Sequence, residues 1–497
     1  MKELRRPPQE LAGTGSQGTF NNVNFVVSAP ANPIPLWQGF GFELDPWAFS
    51  PNMLAKGFTE PDWALLTGRL ASMKLGFARV MVMLEWVQTV ADGPFDWTGQ
   101  QATSLFRYLD FLQEQNIDIV LVEWGFSVTP LYGGAPADPV YARNLVNFLK
   151  ELVLQRGYTK IKYFTSINEP DTVFIPTYGM PAYVTLYQNL RSEMNAAGLT
   201  GTVQLVAADM IVSISPGGLF EDAITQLYQT ADAWSIHRYP GELELLSKEL
   251  LGPWETLWSR LMSPREFLNA FNPGGRSKLY LVNEAGITGG ASPPAIIEEF
   301  RYGIHMATYG VTALNSECNG VCAWIAFNLY YFESSDPFEN TFGSMKGIFA
   351  TPRWGLRPWA VAWTLLSRTA PRGSRIFAVN GTPPTNPGIS LLHGAAIKRP
   401  GGEWNLFVVN RQTAITEDVN VTLPEIPARD FEVYRYDADS GIGNLILAPV
   451  GIQARSSTFT FSVPPETMIV LNEQSVSMPP IRTTAHGISE STLVRDF

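Results

Sequence analysis

Cysteine and histidine are scarce in this chain of 497 residues, which holds 2 Cys and 4 His. Two cysteines cannot build a disulfide framework. Cys318 and Cys322 stand four apart in an apolar stretch, which predicts buried free thiols that act as small core residues. The histidines His237, His305, His393 and His486 are scattered, with no HxH or HExxH pair. That excludes the usual multi-histidine metal hydrolases, and neither a metal nor a cofactor is expected. No apolar run approaches the ~20 residues needed to span a bilayer. The opening MKELRRPPQELAGTG has charges and prolines but lacks the apolar core of a signal peptide. A cytoplasmic chain with no membrane partner is therefore expected, unless a leader has been removed. Positive charge is also short: 35 Lys and Arg face 46 Asp and Glu, a net −11. That balance opposes a phosphate-binding surface, so nucleic acid is not an expected partner.

What is present points to a large folded protein. A hydrophobic fraction of 45% can fill sizeable cores. From residue 37 one unit recurs: a short apolar run ends in polar or aromatic residues, and a helix-like stretch follows. The runs are QGFGFEL (38–44), FARVMVML (77–84), IDIVLVEW (117–124), KYFTSIN (162–168), VQLVAAD (203–209), AWSIHRY (233–239), LYLVNE (279–284) and GVCAWIAF (320–327). Near-continuous apolar runs suit parallel strands buried on both faces. The stretches between them carry helical periodicity, as in 62–75, 104–116 and 141–156, the last with a start at Asp138 or Pro139 and a stop at Gly157. Eight such units predict an α/β fold, a (β/α)8 TIM barrel. A doubly wound sheet is the alternative, but the chain lacks a phosphate loop, and Gly39-Phe-Gly41 has no third glycine for a dinucleotide fingerprint.

The pattern changes after Trp363. Short alternating runs separated by turn residues, among them SRIFAVN, EWNLFVVNR, NLILAPV and TMIVLN, predict a C-terminal antiparallel β-sandwich. The expected division is an N-terminal extension at 1–34, a barrel at 35–370, a sandwich at 371–475 and a polar tail at 476–497. The early run NFVV (24–27) is a candidate extra strand of the sandwich. The tail is a candidate strap between subunits, so a homo-oligomer is possible.

In a barrel the C-terminal strand ends carry the chemistry. The fourth strand ends Asn168-Glu169-Pro170 and the seventh Asn283-Glu284. These strands lie on opposite sides of the opening, so the two carboxylates can face each other. Cleaving an acetal needs a proton for the leaving oxygen and an anion beside the developing oxocarbenium ion, and two carboxylates supply both. Strand-end acids also cap helices and form ion pairs.

Asn168-Glu169-Pro170 with Glu284 resembles the clan A retaining glycoside hydrolases, with sequence features similar to families 39, 5 and 30. Arg79 in the second strand, His237-Arg238-Tyr239 after the sixth and Trp324 in the eighth agree with that resemblance. The histidine of family 5 near the third strand is absent, and Glu123-Trp124 stands there instead. The resemblance implies that Glu284 is the nucleophile, oriented by Arg79 and Tyr239, and Glu169 the acid and base. It makes Asn168 a donor to the sugar 2-hydroxyl and Trp324 a stacking platform. His237 and Trp124, with the strand-end acids Glu43, Asp45, Glu85 and Glu123, are further substrate-binding candidates by their place at the mouth. The implied partner is a carbohydrate, with release from chain ends preferred because acids and aromatics crowd one side of the mouth. A catalytically silent sugar-binding protein and a transglycosidase remain alternatives on the same fold.

Overall fold

The computed structural model describes residues 22–29, 34–125, 131–133, 137–211, 218–245, 256–271, 274–287, 295–331, 341–381, 391–440 and 447–474. The polar tail and residues 246–255 and 332–340 lie outside them. The first strand, β1 (Asn22–Ser28), belongs to the second sheet. The next eight close a parallel barrel in chain order: β2 (Phe40–Glu43), β3 (Phe77–Val82), β4 (Asp118–Glu123), β5 (Ile161–Thr165), β6 (Gln204–Ile211), β7 (Ala233–Arg238), β8 (Leu279–Ala285) and β9 (Gly320–Ala323). Each coincides with one of the eight apolar runs.

Side chains alternate along a strand, and the barrel shows it residue by residue. On β3, Ala78, Val80 and Val82 face the surrounding helices, while Phe77 and Met81 fill the interior beside Val120, Val122, Leu281 and Cys322. Both cysteines are buried free thiols. The glycines noted at 39 and 41 serve packing. A Cβ on Gly41 would meet the Phe77 carbonyl at 2.3 Å, and Gly39, at φ +112°, lies against Gly76. Helix Pro139–Lys150 starts where Asp138 accepts from the Val140 amide, and Gly157 takes φ +77° beyond its π-helical end.

The second sheet has nine strands. Its order is β15 (Gly451–Gln453), β14 (Phe431–Tyr436), β17 (Thr467–Glu473), β12 (Trp404–Asn410), β11 (Leu392–Lys398), β10 (Arg375–Gly381), β1, β13 (Glu417–Thr422) and β16 (Thr458–Val463). All pairs are antiparallel except β1 with β13. The sheet curls into a sandwich: Phe431 near one edge meets Phe459 at the other, with ring centroids 5.7 Å apart. The run NLILAPV (444–450) is not a strand in its described part; β15 begins only at Gly451. Pro449 has no N–H to give a ladder. The sandwich docks on the barrel's last helices through Tyr436, whose hydroxyl donates to the Phe300 carbonyl at 2.9 Å. No described helix is long and apolar enough to cross a membrane.

Candidate active site

A charged layer lies above the apolar barrel interior, and Arg79 is its centre. Arg79 points inward between Phe77 and Met81 and is fully buried. Its Nη1 donates to Glu43 Oε2 at 2.8 Å and Glu284 Oε1 at 2.7 Å; its Nη2 donates to Asp209 Oδ2 at 2.8 Å and Asn168 Oδ1 at 2.5 Å. A buried guanidinium is tolerable only with such partners. Glu43, Asp209 and Glu284 together hold it above its already high ordinary pKa against the opposing effect of burial.

Three carboxyl-bearing strand ends depart from regular strand geometry, and these departures aim the side chains. Strict alternation would turn Glu284 outward, since Leu279 and Leu281 face in. A register shift between Val282 and Ala285 bends β8, so that both Asn283 and Glu284 reach the charged layer. A similar shift on β6 accompanies Asp209, at φ +55°. Glu169 follows β5 at φ +44°, with its amide bonded to the Asp209 carbonyl at 3.0 Å. Non-glycine residues in this region are uncommon and costly, and they cluster at functional sites.

The result brings Glu169, His237 and Glu284 together, with their ligating atoms all within 4.8 Å of one another. Glu284 accepts from the Tyr239 hydroxyl at 2.6 Å as well as from Arg79. Burial pushes its carboxyl up to about 7, even though His237 and Arg79 pull it down. His237 Nδ1 lies 2.9 Å from Glu169 Oε1 and 3.5 Å from Glu284 Oε2; its Nε2 lies 3.2 Å from Asp209 Oδ1. Burial would lower the imidazole, but Glu284 and Asp209 raise it well above the usual histidine range. By distance alone the trio could grip a divalent cation. The imidazole already faces Glu169 and the guanidinium already neutralises Glu284, so we read no metal ligands here.

Glu43 and Asp45 form a second, deeper acid pair. Both are fully buried, and each has one oxygen, Glu43 Oε1 and Asp45 Oδ1, with no donor. A proton shared between the two carboxyls satisfies both. Burial accordingly holds Glu43 well above the carboxylate range and raises Asp45 to about 6. Asp45 Oδ2 also accepts from Tyr331 at 2.6 Å. Glu43 thus meets the site through Arg79 and has no open face for a sugar.

Other expected site residues separate clearly. Trp324, after β9, and Asn168 are half-buried at the mouth. Trp124 is half-buried too. It stands edge-on to Trp47 and Tyr331 at 5.5 and 5.8 Å, and Trp86 packs on Trp47 at 4.7 Å. These four rings form one cluster, in which Trp47 and Tyr331 are buried and Trp86 and Trp124 half-buried. Glu123 is not in the charged layer. Alternation on β4 turns it outward, where it is 1% exposed and accepts from the Gly125 amide at 2.5 Å and the Tyr141 hydroxyl at 2.8 Å. With the Leu84 amide at 3.4 Å, these contacts brace the strand end on the outer side of the barrel wall, away from Arg79. Glu85 lies half-buried in a 3-10 turn beside the mouth.

Sequence reasoning passed over Asp209. It accepts from Arg79, from Ser235 Oγ at 2.8 Å and from Asn283 Nδ2 at 2.9 Å. Arg79 and His237 hold it well below the usual carboxylate range despite full burial. The available signal was its place as the terminal acid of the fifth apolar run.

No protein-family model matches the sequence, and no curated protein does. Solved structures match over nearly the whole chain. The catalytic domain of a family 30 xylanase C from Talaromyces cellulolyticus aligns at a TM-score of 0.64 and 13% identity, over 91% of this chain and 100% of that one. A family 51 α-L-arabinofuranosidase from Bifidobacterium longum aligns at 0.62 and 12%, over 92% and 100%. A family 39 glycoside hydrolase from Bacteroides cellulosilyticus aligns at 0.58 and 12%, over 88% and 81%. The chain therefore has the fold of these glycoside hydrolases, a TIM barrel with an appended β-sandwich.

Proposed function

We propose that this protein is a retaining glycoside hydrolase that works by double displacement. The observation that carries the reading is the pair Glu169 and Glu284, with facing oxygens within 4.8 Å. Retaining enzymes hold their carboxyl groups ~5–5.5 Å apart, whereas inverting ones leave ~6.5–9.5 Å for a water. Glu284, held by Arg79 and Tyr239, attacks the anomeric carbon. Glu169, the more exposed of the two, protonates the leaving oxygen and then activates water against the glycosyl ester. The Asn168 carbonyl oxygen is taken by Arg79, which leaves its amide to donate to the sugar 2-hydroxyl. Trp324 offers a stacking face.

Exo action is the finer reading, and its support is the crowding of Trp47, Trp86, Trp124 and Tyr331, from the segments after β2, β3, β4 and β9, into one ring cluster. Neighbours described as a xylanase and an arabinofuranosidase make pentosides the first sugars to assay. A panel of nitrophenyl glycosides in both anomeric forms tests the reading, with NMR of the first-formed product. Turnover with retained configuration is expected; inversion, or no turnover across the panel, overturns it.

A further inference from the structure

His237 touches both proposed catalytic carboxylates, and the residue beneath it decides what it can do there. Asp209 is fully buried, and Arg79, Ser235 and Asn283 donate to its oxygens. Such a carboxylate is ionised and accepts only. Nε2 of His237 lies 3.2 Å from Oδ1 without a formed hydrogen bond, but a bare nitrogen lone pair against this anion would be repelled, so Nε2 carries the hydrogen. The other nitrogen, Nδ1, faces oxygens of Glu169 and Glu284. When both of those are ionised, Nδ1 must be protonated too, and the ring is an imidazolium. We propose that Asp209 is a positioning residue that keeps His237 charged, with Nδ1–H directed at Glu169 Oε1. The inference rests on the glycosidase reading for its consequence but not for its primary readout.

The consequence concerns the proton transfer. The competent form carries the acid proton on Glu169 Oε2 while Oε1 accepts from Nδ1–H. As the leaving-group bond breaks, the O–H bond at Oε2 breaks and one forms at the leaving oxygen. The new carboxylate is met at once by the imidazolium, so no reorganisation is needed to stabilise it. In the second half-reaction Glu169 takes the proton of the attacking water and the cycle closes. His237 neither gains nor loses a proton in either step.

Every charged or titratable group that faces the ring takes part in this balance. Glu169 approaches after β5, with Asp171 two residues on. Asp209 stands on β6, Glu284 on β8 and Tyr239 just beyond the histidine itself. Arg79 on β3 neutralises part of the anionic charge. The other two described histidines contrast sharply. Burial, aided by Arg411, pushes both His305 and His393 down to about 3.

The test is NMR of ring-labelled histidine in the full-length protein, with assignment by His237→Gln. The expected result is a wild-type His237 with both nitrogens protonated at pH 7.5. Asp209→Asn keeps the shape but not the charge. It should lower the His237 titration midpoint by ~1 pH unit or more. The alkaline limb of kcat/KM should move down with it, so that the variant's kcat/KM, taken relative to wild type at the same pH, is lowest on the alkaline side and rises as pH falls. A purely structural role would give a loss that no pH restores. A neutral His237 in wild type overturns the inference by itself, even if Asp209→Asn does not fold. So does an unchanged titration in the variant. A charged His237 in a protein that cleaves no glycoside would leave the inference standing and sink the glycosidase reading instead.

Discussion

Glu284 at the barrel mouth and Glu473 in the sandwich are both strand glutamates, 5% and 2% exposed, yet they are held in opposite ways. Glu473 accepts from two backbone amides, Trp404 at 2.7 Å and Arg429 at 2.9 Å. Glu284 is held by side chains alone, those of Arg79 and Tyr239, with His237 close by. Backbone donors move only when the fold moves, so Glu473 is part of the sheet. Side-chain donors can shift as charge develops and leave one edge of the carboxylate open to a ligand. Glu123, bonded to a backbone amide and a tyrosine, belongs with Glu473 although it stands at the barrel mouth. Between Glu284 and Glu473, the kind of donor and not the degree of burial marks the difference.

The sharpest way to break this comparison is truncation on both sides. Glu284→Ala and Glu169→Ala should each lower turnover of an activated glycoside by roughly a thousandfold or more while the melting temperature holds. Glu473→Ala should do the reverse. It leaves two buried amides unpaired, costs about 2–3 kcal/mol in urea unfolding, and spares kcat per folded molecule. If Glu473→Ala silenced the protein without destabilising it, the distinction would collapse.

A smaller effect is expected at Tyr239→Phe. Losing a donor to the ionised form raises the Glu284 pKa above its value of about 7. The nucleophile works ionised, so the acid limb of kcat/KM moves to higher pH, and kcat falls on the order of 10-fold at pH 7. An unmoved acid limb would show that Tyr239 merely packs. Glu123→Gln should change stability by about 1–2 kcal/mol and leave KM unaltered; a raised KM with normal stability would return Glu123 to the sugar-binding set.

The smallest effect concerns the deep pair. Asp45 has a folded pKa of about 6, above its unfolded value. Its contribution to stability is therefore complete below about pH 4 and is lost as pH rises through about 6. Burial and the Asp45 charge raise Glu43 in the same direction. The melting temperature should fall from pH 5 to pH 8, and Asp45→Asn should flatten that fall. A steeper fall in the variant would contradict the shared proton.

The barrel was legible because buried parallel strands write themselves as apolar runs, and each of the eight ends where the charged layer begins. Asn168-Glu169 and Glu284 were legible as strand-end acids. Two things were not. Bulges leave no mark in composition, so nothing in LYLVNE tells that Asn283 and Glu284 both reach the site, or that the Asp209 backbone turns out of register. Solvation is equally silent. Glu43 and Glu123 look alike as strand-end glutamates, but alternation, counted from Phe42 and Val122, turns one inward and the other outward. That count could have been made on the sequence once the register of each strand was fixed.

The central claim is that Glu284 attacks the sugar while Glu169 manages the proton. A 2-fluoro glycoside with a good leaving group, matched to the sugar that the panel selects, should inactivate the protein stoichiometrically. Mass spectrometry of the digest should then find the label on the peptide that carries Glu284. A label on any other carboxylate, or rapid turnover of that sugar with no trapped ester, would contradict it.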